Sequence, residues 1–446
     1  MRRRSVLPAA PALALLLAGC GGGPEGLAAM RADLAREIAP AAASAGPRAP
    51  VPDRFDAALR AAVAADPSYR AARAREAEAM AAIGGAEAAW RPQLSGNATL
   101  GALREGDPVS DTTTGAAGDL TLSQLLYDGG AAGGAIDRAR AEALAAEAAR
   151  AAEANAAALA AAEAWIDLWQ FDTRLALLDS RTRALDDLVA QIERMATNGM
   201  LDRAAHDAAR RQIADVQLMR TEMQAGRDAA RTRFTRHFGP PPARLAKPAG
   251  FADPAALGRL ADGWRKAPAL RQAAAELLAA RAAEREAQAA FRPRVAVQAG
   301  VTSPMDEDET TDVTAGLRLS YTFGDGGRRK AALRAAGERV TALEAALQAA
   351  LGRAEDEMRV ASDRRAALAR ALPVVERKIA LSGSEAGIAR SQIVTGQSSL
   401  RQLVAAEIES YRARDEQIRM QCDMLKLELS ILAGTGALTG AIGLDG

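Results

Sequence analysis

Alternation of apolar residues with mostly polar or small residues marks three segments of the chain. Residues 94–102, 295–301 and 313–323 place mostly leucine, valine, alanine or an aromatic residue at every second position. A period of two is typical of a strand with one wet and one apolar face. Polar or acidic stretches at 104–115 and 303–312 adjoin these segments, so each half of the chain is predicted to hold a hairpin with a solvated loop.

A second pattern, with apolar residues at three- and four-residue steps, predicts very long helices. It covers residues 130–197 and 327–395, and each stretch is followed by a returning helix, from about Leu201 to His237 and from Leu400 to Leu432. At about 1.5 Å per residue the first helix of each pair would be roughly 100 Å long. Such helices need lateral partners. Pro373 lies inside the second long helix and is expected to kink it.

This order of elements occurs twice along the chain. Four short motifs of the first half recur in order in the second half: Pro67 to Arg70 with Pro268 to Arg271, Trp90-Arg91-Pro92 with Phe291-Arg292-Pro293, Asp128 with Asp325 ahead of paired glycines, and Asn198-Gly199 with Thr395-Gly396. Each half is therefore predicted to run helix, strand, turn, strand, long helix, tip and returning helix. The segment from Pro240 to Pro254 marks the break between the halves.

The beginning of the chain has the pattern of a secretory signal. Arg2 to Arg4 precede the apolar segment Val6 to Ala18, which is shorter than the roughly 20 residues of a spanning helix. Leu17-Ala18-Gly19-Cys20 resembles a bacterial lipobox, which implies lipidation of Cys20; an ordinary signal is the alternative. Gly21 follows instead of aspartate, and this implies sorting to the outer membrane.

Six segments are predicted from these patterns. They are a lipoprotein signal peptide at 1–19, a lipid-anchored tether rich in glycine, proline and alanine at 20–52, a first repeat at 53–238, a linker at 239–262, a second repeat at 263–435 and a C-terminal tail at 436–446.

Composition narrows the possible functions. The chain of 446 residues has 57 basic and 56 acidic side chains, a balance that argues against nucleic-acid binding. With two histidines and two cysteines, little remains for a metal site or a redox pair. We predict no metal, no cofactor and no enzymatic activity. A lipid-anchored hydrolase is disfavoured because no nucleophile, base and orienting group stand in a recognisable set.

One copy of the chain supplies only four strands, and four strands cannot close a barrel. Open strand edges are not tolerated in lipid. Three copies would supply twelve strands, within the range of water-filled barrels, and twelve long helices side by side. The predicted fold is mainly α with a small membrane β part: a trimeric β-barrel on an α-barrel, built from a duplicated hairpin-plus-long-helix repeat. Considered without the helices, the strand pattern is also compatible with a small soluble sheet that has one buried face.

The chain resembles the TolC-type outer-membrane factors, the outer membrane efflux protein family, as a lipoprotein variant. The resemblance rests on the duplicated motifs given above, in their order. It implies a trimeric channel-tunnel that spans the outer membrane and the periplasm and docks an inner-membrane pump, of the RND or ABC type, through a periplasmic adaptor. The implied role is a passive conduit for small-molecule efflux or type I protein secretion. A lipid-anchored periplasmic coiled-coil adaptor is the alternative.

The resemblance also implies roles for the two helix tips, although simple turns remain the alternative. The residues implied in adaptor docking are Asn198, Gly199, Met200, Leu201, Thr395, Gly396, Gln397, Ser398, Ser399 and Leu400. Some members carry aspartates just after the second tip. Gln402 and Ala405 stand there in this chain, so an acidic ring is missing, and Gln402 is the candidate for the constriction at the tunnel end.

Two arginines belong to the predicted strands of the second half. Arg294 and Arg318 fall on the polar positions of the alternation. They are candidates to line the pore, and pairing with acidic neighbours is an equal alternative. The heptad-like position of Cys422 favours a small, buried apolar side chain over a reactive thiol.

Overall fold

The computed structural model describes residues 30, 32–34, 50–104, 112–197, 203–303, 310–394 and 400–444. The chain divides into two units, residues 1–50 and 51–446. In the first unit, Met30 and residues 32–34 are helical. The second unit contains every element described below.

The second unit follows the predicted order in both halves. The elements of the first half are α1 Phe55–Ala65, α2 Pro67–Glu87, β1 Gln93–Arg104, β2 Thr112–Tyr127, α3 Ala131–Thr197 and α4 Arg203–Phe238. Those of the second half are α5 Pro254–Asp262, α6 Pro268–Ala289, β3 Arg294–Ser303, β4 Asp312–Ser320, α7 Arg328–Val394, α8 Leu400–Thr435 and α9 Leu438–Ala441. Short 3₁₀ turns lie at Ala88–Trp90 and Trp264–Lys266.

The duplication extends to the lengths of the helices. The long helices α3 and α7 have 67 residues each, and the returning helices α4 and α8 have 36 each. The predicted mainly α fold with a small sheet and a duplicated repeat is confirmed. Helix α7 is assigned as one element through Pro373, and the kink expected there stays a prediction.

Both long helices begin with the same cap. Asp128 accepts hydrogen bonds from the amides of Gly130 and Ala132, at 3.0 and 2.6 Å. Asp325 accepts from the amides of Gly327 and Arg329, both at 3.0 Å. A carboxylate at this end satisfies amides that have no partner within the helix. The glycines after each aspartate have positive φ angles, 73° and 99° in the first repeat and 66° and 88° in the second.

The four strands form one antiparallel sheet in the order β1, β2, β3, β4. The predicted hairpins are β1 with β2 and β3 with β4, and the pairing of β2 with β3 joins the two halves of the chain. The edges β1 and β4 have no strand partner within the described part of the chain.

Strand β4 is shorter than the alternation suggests. It ends at Ser320, which pairs with Arg294, whereas the pattern continues to Phe323. The residue before Arg294 is Pro293, which has no amide hydrogen to extend the ladder. Tyr321 and Phe323 instead pack against each other, with ring centroids 4.8 Å apart in a T-shaped arrangement.

The main hydrophobic core lies where the short helices meet the long ones. Trp165 is buried among Phe55, Phe234 and Phe238, with ring centroids 5.3 to 5.6 Å away. Its indole donates to the carbonyl of Ala246, at 3.0 Å. This hydrogen bond links the segment between the two halves to α3. Part of that segment, α5, is helical.

Candidate functional site

One face of the sheet is apolar and exposed. Residues that pair directly across antiparallel strands point to the same face. The register places on this face Leu94 with Leu122, Leu120 with Val301 and Val313, and Val297 with Leu317. Their side chains are largely solvent-accessible in the single chain; Leu100, on the same face, is 84% exposed and Val313 is 76% exposed. A continuous exposed patch of this kind marks an interaction surface.

The other face of the sheet is polar. Asn97 donates to both carboxylate oxygens of Asp119 across β1 and β2, at 3.2 and 3.0 Å. Arg318 pairs with Ala296, and Arg294 pairs with Ser320, so both arginines lie on this face. The predicted alternation of one polar and one apolar face is therefore found in β1, β3 and β4. Strand β2 departs from it near its end, where Gln124 pairs with Val297 and the register shifts between Leu125 and Tyr127.

A groove of about 360 Å³ opens on the polar face, at the end of the sheet nearest the helices. Three arginines line it: Arg91, Arg294 and Arg318. The other residues lining it are Ala89, Gln93, Ser123, Leu125, Ala296, Gln298 and Ser320, none of them acidic. Within the described residues, no carboxylate forms an ion pair with any of the three arginines. We call this set of three the arginine cluster.

Five aromatic side chains surround the same end of the sheet. They are Trp90, Tyr127, Phe291, Tyr321 and Phe323, and all are exposed, Phe323 to 93%. The guanidinium of Arg329 lies 5.2 Å from the ring centroid of Phe291. Aromatic residues of this kind are enriched where a barrel meets the lipid headgroups. Four of these residues, Trp90, Tyr127, Phe291 and Phe323, stand in matching motifs of the two repeats, a pattern that does not by itself indicate a role. We call these five residues the aromatic band.

Ion pairs join the helix pairs of the two repeats toward their tips. Arg174 on α3 forms a bidentate salt bridge with Asp415 on α8: its Nε and Nη2 atoms donate to the two carboxylate oxygens, at 2.6 and 3.0 Å. Farther along, Glu407 on α8 pairs with Arg181 on α3 and with Arg390 on α7. We call these last three residues the Glu407 cluster.

The Glu407 cluster is buried on one side and open on the other. Glu407 is 7% exposed. The side chain of Arg181 is 12% exposed, whereas that of Arg390 is 65% exposed. Burial lowers the pKa of the Arg181 guanidinium, and the neighbouring Glu407 opposes that shift. Sequence reasoning missed this cluster because its members are far apart in the chain.

Several predicted site residues lie outside the described residues. Cys20, the first tip from Asn198 to Leu201 and the second tip from Thr395 to Ser399 belong to this group. Leu400 is the first residue of α8, and Gln402 is an exposed residue in its first turn. The lipidation, docking and constriction roles therefore stay predictions.

Other features of the helical part are structural. Cys422 is 2% exposed, and burial raises the pKa of its thiol to about 11, as suits a packed side chain. In the described part of the chain no group of three or more histidine, cysteine, aspartate or glutamate side chains is placed to hold a metal ion. Among the same residues, no helix combines the length and apolar character needed to cross a membrane.

Two hairpins merged into one sheet and carried on two pairs of very long helices define the class of duplicated outer-membrane channel subunits. The sequence profile described as outer membrane efflux protein matches residues 58–239 and 265–437. The chain belongs to the outer membrane efflux protein family. A direct comparison with the sequences of curated proteins gives no match.

Solved outer-membrane channels share the fold. VceC from Vibrio cholerae aligns with a TM-score of 0.74 over 87% of this chain and 96% of its own, at 19% identity. CmeC from Campylobacter jejuni gives 0.74 over 86% of each chain at 12% identity. The open-state MtrE channel from Neisseria gonorrhoeae gives 0.71 over 86% of this chain and 90% of its own, at 18% identity. The predicted efflux-channel class is confirmed, and the adaptor alternative is not supported.

Proposed function

We propose that the chain is one subunit of a homotrimeric, lipid-anchored channel-tunnel that serves as a passive conduit for efflux across the outer membrane. The sheet carries this proposal. It has one exposed apolar face, one polar face and two edges without a strand partner. Membrane lipid would cover the apolar face, and strands of the neighbouring subunits would pair with the edges.

Closure of the sheet explains its edges. Each unpaired edge presents backbone groups that lipid cannot satisfy. If β4 of one subunit pairs with β1 of the next, three copies close a barrel of twelve strands with no free edge. The apolar face then points to lipid and the polar face to the lumen. The aromatic band sets the level of the periplasmic interface, because it surrounds the end of the sheet nearest the helices.

The long helices fit the periplasmic part of such a tunnel. Small residues dominate the buried positions of α3, among them Ala158, Ala161 and Ala162, and they allow neighbouring helices to approach closely. We propose that the tips at 198–201 and 395–400 meet a periplasmic adaptor, that an inner-membrane pump supplies the energy, and that acyl chains on Cys20 add a second attachment to the outer membrane. The subunit itself needs no cofactor and performs no reaction.

Detergent extraction of the full-length protein tests the assembly. Light scattering, with the detergent mass subtracted, is expected to give three copies per particle, because only closure removes the open edges. The intact mass of the same preparation reports whether acyl chains are attached to Cys20. A monodisperse single copy that stays soluble without detergent would contradict the proposal.

A charge placed on the apolar face tests the orientation of the sheet. Leu317→Arg is expected to destabilise the assembled barrel by about 2–4 kcal/mol, the effect of arginine at the middle of a lipid-facing strand. Thr314→Arg is the matched control, because Thr314 is exposed on the polar face of the same strand. The readout is the amount of trimer in outer-membrane fractions and its resistance to heating in detergent. Equal losses in both variants would argue against a lipid-facing apolar surface.

A further inference from the structure

The arginine cluster brings three guanidinium groups to one groove without an acidic residue in its lining. Several arginines of the helices are instead paired with carboxylates, for example Arg138 with Glu286, Arg227 with Asp172 and Arg285 with Asp137. The groove on the polar face instead gathers three guanidinium groups among neutral residues. Like charges gathered on one surface repel one another, and an anion bound between them would relieve that repulsion.

The sheet register brings two of these charges close together. Arg294 stands opposite Ser320, and Arg318 stands opposite Ala296, so the two arginines are diagonal neighbours on one face of β3 and β4. Diagonal neighbours of this kind are about 7–8 Å apart, a spacing that long side chains bridge easily. Arg91 reaches the same groove from the segment that precedes β1. The three side chains therefore converge from both hairpins.

The remaining lining suits an oxyanion. Gln93, Ser123, Gln298 and Ser320 offer neutral hydrogen-bonding groups around the three guanidinium forks. The planar fork of arginine matches the geometry of carboxylate and phosphate groups. No described carboxylate competes for the cluster inside the groove.

Charge is also graded along the polar face. The acidic residues of this face, Asp119 and Asp312, lie toward the hairpin loops, and Asp119 is already hydrogen-bonded to Asn97. The arginine cluster lies at the opposite end, next to the helices. In a narrow passage with low-dielectric walls, such a grading concentrates anions at the basic end.

We propose that the arginine cluster is a solute site in the channel wall that binds anions bearing carboxylate or phosphate groups and makes the conduit prefer anionic cargo. The inference rests on the proposed function, because the polar face must line the lumen. Three subunits would then place three such grooves around one passage, where the helical tunnel meets the barrel.

Reversal potentials in a planar bilayer test this site. The purified full-length trimer in a KCl gradient is expected to pass chloride in preference to potassium. The triple variant Arg91→Gln, Arg294→Gln, Arg318→Gln is expected to lose this preference several-fold. Inorganic phosphate and citrate, as probes of the two oxyanion classes, are expected to reduce the current of the wild type and not that of the triple variant. If the triple variant fails to assemble, Arg318→Gln alone, at an exposed side chain of β4, is expected to reduce the preference for chloride in part.

A matched control separates the cluster from general charge. Arg271→Gln removes an exposed arginine of α6 that does not line the groove, and its selectivity is expected to equal that of the wild type. An unchanged reversal potential in the triple and single cluster variants, or an equal shift in Arg271→Gln, would overturn the anion site while leaving the channel intact. A folded trimer that shows no conductance would overturn the proposed function and the site with it.

Discussion

Replacing Glu407 by glutamine is expected to destabilise the joined helix pairs by about 3–5 kcal/mol, the usual cost of leaving a buried charge without its partner. Glu407 is buried and pairs with Arg181 and Arg390. The Nε and Nη2 atoms of Arg181 are also buried and have no hydrogen-bond partner among the described residues. Glu407 is therefore the one described carboxylate that compensates this guanidinium. The measurement is thermal and chemical unfolding of the detergent-extracted protein, followed by helical circular dichroism.

Glu409→Gln is the matched control for this prediction. Glu409 lies on the same helix and pairs with Lys378 at 2.8 Å, but both side chains are more than 40% exposed. Exposed pairs contribute about 0–1 kcal/mol, so this variant is expected to unfold almost like the wild type. The double variant Arg181→Met, Glu407→Leu is expected to recover most of the loss, because it removes both buried charges. Equal stability of Glu407→Gln and Glu409→Gln would show that the Glu407 cluster contributes no more to stability than an exposed ion pair.

Alanine at Gly129 is expected to have the other large effect. Its φ angle of 73° disfavours any side chain, and an added Cβ would lie 2.4 Å from Cβ of Arg292 and 3.1 Å from the carbonyl oxygen of Ala289. Neither of these atoms can move without the backbone, because Ala289 ends α6 and Arg292 lies in the short segment between α6 and β3. Arg292 also donates to the Gly129 carbonyl at 2.9 Å. The backbone around Gly129 and that around Arg292 would therefore have to move apart at the base of the sheet.

The duplication supplies the control for this change. Gly326 occupies the same place in the second repeat, with φ of 66°, but an added Cβ would have no atom within 4 Å. Gly326→Ala is therefore expected to lose only about 1–2 kcal/mol from the left-handed backbone, whereas Gly129→Ala adds a steric clash and is expected to lower the yield of folded protein severely. The readout is the amount of folded protein extracted from membranes per cell. Equal losses in Gly129→Ala and Gly326→Ala would mean that backbone strain alone, and not the steric clash at Gly129, sets the effect of both substitutions.

The periodic parts of this molecule were predictable from the sequence. Long helices keep the same apolar spacing over many turns, and a strand with two different faces alternates strictly, so both reveal themselves locally. Because the chain is duplicated, each of these patterns occurs twice and is easier to recognise. The alternation extends the strand beyond the observed end of β4, because that end depends on Pro293, the residue that precedes the partner strand β3.

Two other features were not predicted from the sequence, each for a different physical reason. Helix α5 was included in the linker, although Asp253 caps it by accepting from the amide of Ala256 at 2.7 Å and Pro254 occupies its first turn. That Asp-Pro start was a readable signal. The Glu407 cluster was not readable, because Arg181 and Glu407 are 226 positions apart and only the packing of α3 on α8 brings them together.

The pairing of β2 with β3 sets an order of events during biogenesis. Strand β2 has its first partner next to it in the chain, but its second partner arrives only after α3, α4, α5 and α6 have been made. Closing so long a loop is slow. Until it closes, a newly made first repeat carries an apolar face and an open edge, the conditions under which chains aggregate. The sheet can therefore be completed only after the second hairpin has been made, and a first repeat without it is expected to be prone to aggregation.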